Sequence, residues 1–307
     1  MEQAYDMIII GAGPAGMSAA IYAKRAGMSA LVLEKTGTNG GQVLNTYEVD
    51  NYPGLPGISG FDLCMKMKEH MDKLEVPVIS ADVTKIIDQK ELKMVCTEEG
   101  NYITKTVIIA AGAHHAKLGV PGEEELAGMG VSYCATCDGA FFKGREVAVI
   151  GGGDVAVEDA LFLARACKKV YLIHRRNELR AARILQEALF KQPNIEVVWE
   201  HVVTGIEGEE QVEALLIQNK NTKKAQKLSV SGVFVAVGNV PDSKAFEGVV
   251  KLDEKGYIVA EEDGITSVPG IFAAGDIRTK KLRQIVTAAA DGACAVNSAE
   301  QYIIANL

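Results

Sequence analysis

The sequence predicts an α/β fold of two Rossmann-like dinucleotide-binding domains, one inserted into the other. Three observations predict it: a glycine fingerprint behind an apolar run at Gly11, a second such unit at Gly151, and a late apolar run, Gly270 to Asp276, that completes the first unit. At 307 residues the chain can form two ordinary domains, each with its own core. Its 31 glycines against 8 prolines suit many tight strand-to-helix turns. A formal net charge of -8 argues against a nucleic-acid groove, which needs clustered surplus Lys and Arg. No run approaches the roughly 20 apolar residues of a membrane span. The first ten residues carry Glu2 and Asp6 with no basic start, unlike a secretory signal, so a cytoplasmic location is expected.

The first unit reads as a strand from Asp6 to Ile10, the loop Gly11-Ala-Gly13-Pro14-Ala15-Gly16, a helix from Met17 to Ala26, and a strand from Ala30 to Leu33 that ends at Glu34 and Lys35. Gly11 permits the tight turn, Gly13 lets backbone approach a pyrophosphate, and Gly16 allows close helix packing. The helix N-terminus holds the phosphate charge. Glu34 stands where a carboxylate accepts hydrogen bonds from the ribose hydroxyls of an adenosine.

The second unit repeats the order: strand Glu146 to Ile150, loop Gly151-Gly-Gly153-Asp154-Val155-Ala156, a helix to Ala166, and strand Val170 to Ile173. At the place of Glu34 stand His174, Arg175 and Arg176, with Arg180 a helical turn or so beyond. A carboxylate there repels a 2′-phosphate, whereas guanidinium groups bind it in bidentate fashion, so this unit is expected to take NADPH. The other reading of the basic cluster is a solvated helix face. Two units with opposite charge at one equivalent position imply two dinucleotides, a nicotinamide and a flavin, FAD.

Two more apolar runs, Val107 to Gly112 and Val233 to Gly238, each close a unit, which places Ala111 and Gly112 in the first site and Gly238 in the second. Gly270 to Gly275 reads as a buried parallel strand with Asp276 at its carboxyl end, where ligands of open α/β sheets bind. Asp276 reads either as an acceptor for the flavin ribityl chain or as a helix cap. Arg283 opens a helix whose N-terminus favours negative charge. The expected layout is an FAD domain over 1–113 and 244–307, with an NADPH domain over 114–243 inserted in it. His114 and His115 read as polar linker residues.

Of six cysteines only Cys134 and Cys137 are closely spaced, and the pair sits just ahead of the second glycine loop. Two intervening residues suit a reversible disulfide with one activated thiol. The rival is half a zinc site, which lacks further ligands at suitable spacing. Asp138, next in sequence, reads either as a proton-handling acid raised in pKa by burial or as a turn acid before Gly139.

The ordered set Gly11-Ala-Gly-Pro-Ala-Gly16, Gly40-Gly-Gln42, Asn51-Tyr-Pro-Gly54, Cys134-Ala-Thr-Cys137-Asp-Gly139, Gly151-Gly-Gly-Asp154, His174-Arg-Arg176, Gly275-Asp276 and Arg283-Gln284 resembles the low-molecular-weight bacterial thioredoxin reductase family over the whole chain. The resemblance implies FAD contacts from the first glycine loop, Glu34, Gly41, Gln42, Thr46, Asn51, the backbone near Val83, Asp276, and the helix start at Arg283, Gln284 and Ile285. It implies a homodimer and thioredoxin as partner. It also implies that Cys137 faces the flavin, Cys134 attacks the thioredoxin disulfide, and Asp138 manages the proton. Two departures stand out: Val155 where the family usually has Ser, and Ala116 where an Arg often precedes Leu118. The inserted domain is expected to turn on its two crossing segments, presenting nicotinamide in one state and disulfide in the other. A ferredoxin-fed enzyme of the same fold and a non-catalytic redox sensor are the competing expectations.

Overall fold

The computed structural model describes residues 4–46, 49 and 51–306. The chain divides into two compact units, Met1–His114 with Val240–Leu307, and His115–Asn239. The divisions differ from the expected ones at His114 and at residues 240–243, which fall in the first unit.

In chain order the first unit opens with β1 (Tyr5–Ile10), α1 (Pro14–Arg25), β2 (Ala30–Glu34), α2 (Gly60–Lys73), β3 (Val78–Ser80), β4 (Val83–Gln89), β5 (Leu92–Thr97), β6 (Asn101–Ile109) and β7 (Ala113–His115). The second unit follows with β8 (Val131–Ser132), α3 (Ala135–Asp138), β9 (Glu146–Gly151), α4 (Asp154–Ala164), β10 (Lys169–His174), α5 (Arg183–Leu189), β11 (Ile195–Trp199), β12 (His201–Glu207), β13 (Ala214–Asn219), β14 (Ala225–Ser229), β15 (Gly232–Ala236) and β16 (Asn239–Pro241). The chain then returns to the first unit for β17 (Ile271–Ala273) and α6 (Ile285–Asn306). The connecting strands β7 and β16 pair with each other.

The sheet of the first unit is ordered β3-β2-β1-β6-β5-β4, and β17 also lies parallel to β6 at Val107 to Ile109. Because β1 is buried on both faces, it reads as an unbroken apolar run rather than an alternating one. Met7 and Ile9 face one core with Met17, Ala20 and Val296, while Ile8 and Ile10 face another with Ile86, Phe246 and Ile258. In the second unit a parallel sheet, β11-β10-β9-β15-β8, buries Val147 and Val149 against α4. Its other face, with Ala148 and Ile150, packs on Leu215 and Ile217 of the antiparallel β12-β13-β14 sheet. No helix among the described residues is long and apolar enough to cross a membrane.

Both helices that follow the glycine loops start earlier than the sequence predicts, α1 at Pro14 and α4 at Asp154. Proline suits the first helical position because it has no N–H to leave unpaired there. Arg180 lies outside any helix, since α5 begins at Arg183. The long C-terminal helix begins at Ile285 rather than Arg283.

Candidate active site

In the first unit the loop from Gly11 joins β1 to α1. Gly16 is required by contact: a Cβ there falls 1.8 Å from the Gly11 carbonyl oxygen. A Cβ on Gly13 meets nothing within 4 Å, so the loop leaves open space on that side. The N-cap Gly13 supplies no side-chain acceptor, and the first turn of α1, with Pro14 and Ala15, holds no acid. Its N–H groups are therefore free to receive an anion.

Glu34 is buried at the end of β2. Its Oε2 accepts from Ala12 N–H at 2.6 Å, and its Oε1 accepts from the Thr36 N–H and hydroxyl at 2.9 and 2.8 Å. A carboxylate has about four acceptor positions, and these three bonds leave about one for a ribose hydroxyl. Lys35 pairs instead with Asp82 at 2.9 Å on the surface. Gly41 takes a positive φ of 58°, and a Cβ on it would lie 3.5 Å from Gly13 Cα, so the two loops line one space. Gln42 Nε2 donates to the Ala113 carbonyl. Thr46 accepts Gly60 N–H through its carbonyl at 2.9 Å, and Val83 starts β4. Ala110, just ahead of Ala111, donates to Ile10, while the Gly112 carbonyl accepts Asp242 N–H.

The carboxyl end of β17 carries a buried electrostatic cluster. Asp291 of α6 accepts from Gly275 N–H at 2.9 Å, from Arg278 at 2.8 and 2.7 Å, and from Lys280 at 2.8 Å. Arg278 is 4% exposed and Asp291 7%. Burial alone raises the Asp291 pKa; the bonds to Arg278 and Lys280 outweigh it and hold the carboxyl below its ordinary value. Asp276 next to Gly275 is different. Its Oδ1 is buried with no hydrogen-bond partner among the described residues, and burial pushes its pKa up while Lys280 and Arg283 pull it partway back. An orphaned buried acceptor is costly unless a ligand donor, such as a hydroxyl, satisfies it. Arg283 lies over the Tyr257 ring at 4.2 Å, and Gln284 accepts from Asn51 Nδ2 at 2.9 Å just ahead of Ile285. Open loop, uncapped helix and orphaned Asp276 Oδ1 together fit FAD.

In the second unit the Gly151–Gly153 loop leads into α4. A Cβ on Gly152 would fall 2.2 Å from the His174 ring, so the imidazole fills the underside of this loop. His174 is 4% exposed and edge-on to Trp199 at 6.3 Å, and its Nε2 has no partner among the described residues. Burial lowers its pKa, offset in part by hydrogen bonding of the ring to the backbone of Gly151 and Glu178. The sequence grouped His174 with the arginines as a positive group; the structure places it apart, as a neutral-leaning ring beneath the loop. Arg175, Arg176 and Arg180 are exposed, and among the described residues none has a carboxylate at ion-pair distance. Arg180 N–H donates to the Gly152 carbonyl at 2.7 Å, which ties it to the loop. Asp154 accepts from Ala182 N–H at 2.7 Å, so this acid fastens the Arg180 segment and does not face an anion. Val155 is 61% exposed on the first turn of α4, Ala156 is buried, and the Gly238 carbonyl accepts Ala116 N–H.

Cys134 and Cys137 are joined in a disulfide with Cα atoms 5.3 Å apart; Cys64, Cys96, Cys167 and Cys294 are free thiols. Cys134 caps the short helix α3, whose Cys137 and Asp138 N–H groups donate back to the Cys134 carbonyl. Burial raises the Asp138 pKa, and a hydrogen bond from Ser132 opposes the rise. Sequence reasoning missed Ser132, whose hydroxyl donates to Asp138 Oδ2 at 2.5 Å. It also missed Tyr133 and Glu123: the Tyr133 hydroxyl donates to buried Glu123 at 3.0 Å, and the Tyr133 ring stacks on His115. His114 and His115, read as polar linker residues, meet Asp242 and Asn239 at 3.0 and 2.8 Å. An isolated Ser two places before Cys134 carries no pattern; only the fold brings it to Asp138.

The family model described as pyridine nucleotide-disulphide oxidoreductase matches residues 5–292. The thioredoxin reductase of Listeria innocua is 48% identical over 303 residues, 98% of this chain and 95% of the relative. That of Bacillus subtilis is also 48% identical, covering 98% of this chain and 96% of the relative. The crystal structure of thioredoxin reductase from Streptococcus pyogenes superposes with a TM-score of 0.91 at 45% identity, covering 99% of this chain and 100% of that one. On this agreement the chain belongs to the pyridine nucleotide-disulphide oxidoreductase family and, within it, to the thioredoxin reductases.

Proposed function

We infer that this chain reduces the disulfide of thioredoxin with electrons from NADPH, through FAD and the Cys134–Cys137 pair. The observation that carries the reading is the disulfide itself, held in the same unit as the Gly151 loop and its arginines, with an acid of raised pKa directly after it. FAD, when bound, would supply the two-electron relay between the nicotinamide of NADPH and the Cys134–Cys137 disulfide. The first unit, Met1–His114 with Val240–Leu307, holds FAD through its glycine loop, Glu34, the Gly41–Gln42 segment, Asp276 and the start of α6. The second unit holds NADPH, with Arg175, Arg176 and Arg180 at the 2′-phosphate.

The reduced pair then acts on thioredoxin in two exchanges. Cys134 thiolate attacks one thioredoxin sulfur, forming a mixed disulfide and releasing the other sulfur as a thiolate. Cys137 thiolate attacks the Cys134 sulfur, restoring the disulfide and releasing thioredoxin as a dithiol. Two electrons leave the pair and two protons join the product thiols, one of them delivered by Asp138. Burial suits Asp138 to this, because it brings the carboxyl closer to sharing its proton near neutrality. Turning of the second unit on its two connecting strands, a homodimer and a cytoplasmic location complete the reading. In solution, one NADPH is expected to disappear for each thioredoxin disulfide opened, read by absorbance and by a thiol count. Consumption that ignores oxidised thioredoxin would favour another substrate.

Cofactor choice gives a second expected result. Arg175→Ala and Arg176→Ala each raise the KM for NADPH about tenfold or more and leave that for NADH within about twofold, because each removes a charge-assisted bond to a group NADH lacks. His174→Gln weakens both dinucleotides alike, since this ring acts through Gly152. Steady-state kinetics with the two nicotinamides checks both statements.

A further inference from the structure

Ser132 ends β8, is 5% exposed, and is set in register by Phe234 of β15. Its Oγ lies 2.5 Å from Asp138 Oδ2 and 3.3 Å from the Cys134 carbonyl oxygen, and it accepts the Cys134 N–H at 3.1 Å. A serine hydroxyl offers one proton and two lone pairs. One lone pair is occupied by Cys134 N–H. When Asp138 is ionised, the serine proton points at Oδ2. When Asp138 is protonated, the carboxyl O–H donates into the second lone pair, and the serine proton swings to the Cys134 carbonyl. Every partner is satisfied in both states, and only a hydrogen moves.

We propose that Ser132 is a positioning residue for the thiol–disulfide exchange, holding the Asp138 carboxyl at one place on the turn that carries Cys134 and Cys137 whether or not that carboxyl bears its proton. The inference rests on the proposed reduction of thioredoxin and adds a residue to it. An acid that gives up a proton and regains it in every cycle must keep its place through both states, because a shift of about 1 Å in a reacting group costs on the order of 10²-fold in rate. With apolar neighbours alone, the ionised carboxylate of half-buried Asp138 would be drawn toward water. The Ser132 hydroxyl removes that pull.

The ionisable surroundings are few. The turn Gly139–Phe142 and strand β15 carry no titratable side chain, and α4 carries Asp154, Glu158 and Asp159. Burial pushes Asp159 up to about 7, with Glu158 adding to the rise, so an Asp159→Asn variant is needed to assign any limb of a pH profile near there.

The test uses flavin-loaded enzyme, NADPH and oxidised thioredoxin, with kcat followed against pH. Ser132→Ala is expected to be reduced by NADPH as the parent is, and to lose about tenfold in kcat for thioredoxin. The limb that Asp138→Asn abolishes moves to higher pH in Ser132→Ala, since the lost bond favours the ionised form. Ser132→Thr, which keeps the hydroxyl, restores both rate and limb. In an Asp138→Asn background, Ser132→Ala costs less than about threefold more, as expected of two residues that act as a unit. The proposal is overturned if the limb stays put in Ser132→Ala, or if the two losses multiply in the double variant. A parallel series with a small aromatic disulfide separates the two ideas: a parent enzyme that reduces this probe but not thioredoxin contradicts the proposed partner and leaves the Ser132–Asp138 coupling measurable.

Discussion

Replacing Cys134 with serine is expected to leave reduction of the flavin by NADPH intact and to lower thioredoxin reduction by ~10⁴-fold or more, because a hydroxyl cannot form the mixed disulfide on which the exchange depends. On the proposed reading Cys134 makes the first attack. It caps α3, is half-buried, and its Sγ lies 3.4 Å from the Thr136 hydroxyl. Cys137→Ser is expected to stop turnover too, but with a different product. Cys134 still attacks, no thiol follows to resolve it, and a covalent enzyme–thioredoxin adduct accumulates that mass spectrometry detects. If the adduct forms in the Cys134→Ser variant instead, the two cysteines have the opposite roles.

Asp291→Ala is expected to destabilise the first unit by about 3–5 kcal/mol, the usual cost of leaving buried charge without its partner. Both Arg278 and Lys280 lose their carboxylate, and the Gly275 N–H loses its acceptor. That last bond holds the turn on which Asp276 sits, so FAD is also expected to dissociate more readily from the variant. Thermal unfolding with and without added FAD measures the two effects. The pH dependence follows from the lowered pKa of Asp291: its stabilisation is present above the unfolded-state value of about 3.9 and is lost as pH falls through the lower folded-state value. The parent therefore loses stability in acid over a range in which the variant has nothing left to lose from this group.

How far the fold could be read beforehand depended on whether the determining contacts were local. The two glycine loops were legible because strand, turn and helix follow one another directly, and the unbroken apolar runs of β1, β9 and β15 marked parallel strands buried on both faces. Cys134 and Cys137 were legible for the same reason, since only two residues stand between them. His174 was misread. Its neighbours Arg175 and Arg176 suggested a common positive cluster, yet β-strand alternation turns successive side chains to opposite sides, and the missing Cβ of Gly152 made room for the ring. Arg180 was read only as a further charge a helical turn or so beyond Arg176, because the bond from its N–H to Gly152 was not visible. Asp291 carried no signal in the sequence; its partners lie 11 to 16 residues earlier, across a turn only the folded chain closes. The unit boundaries moved for a similar reason, because β7 pairs with β16 and the chain passes between the units on those strands.

The most direct test of electron flow from NADPH to thioredoxin is an anaerobic titration of the flavin-loaded enzyme, followed by its visible absorbance. NADPH should bleach the yellow flavin band, and oxidised thioredoxin added afterwards should restore it in the parent but not in Cys134→Ser. A flavin that stays yellow with NADPH, or one that recovers equally well without Cys134, would contradict the account.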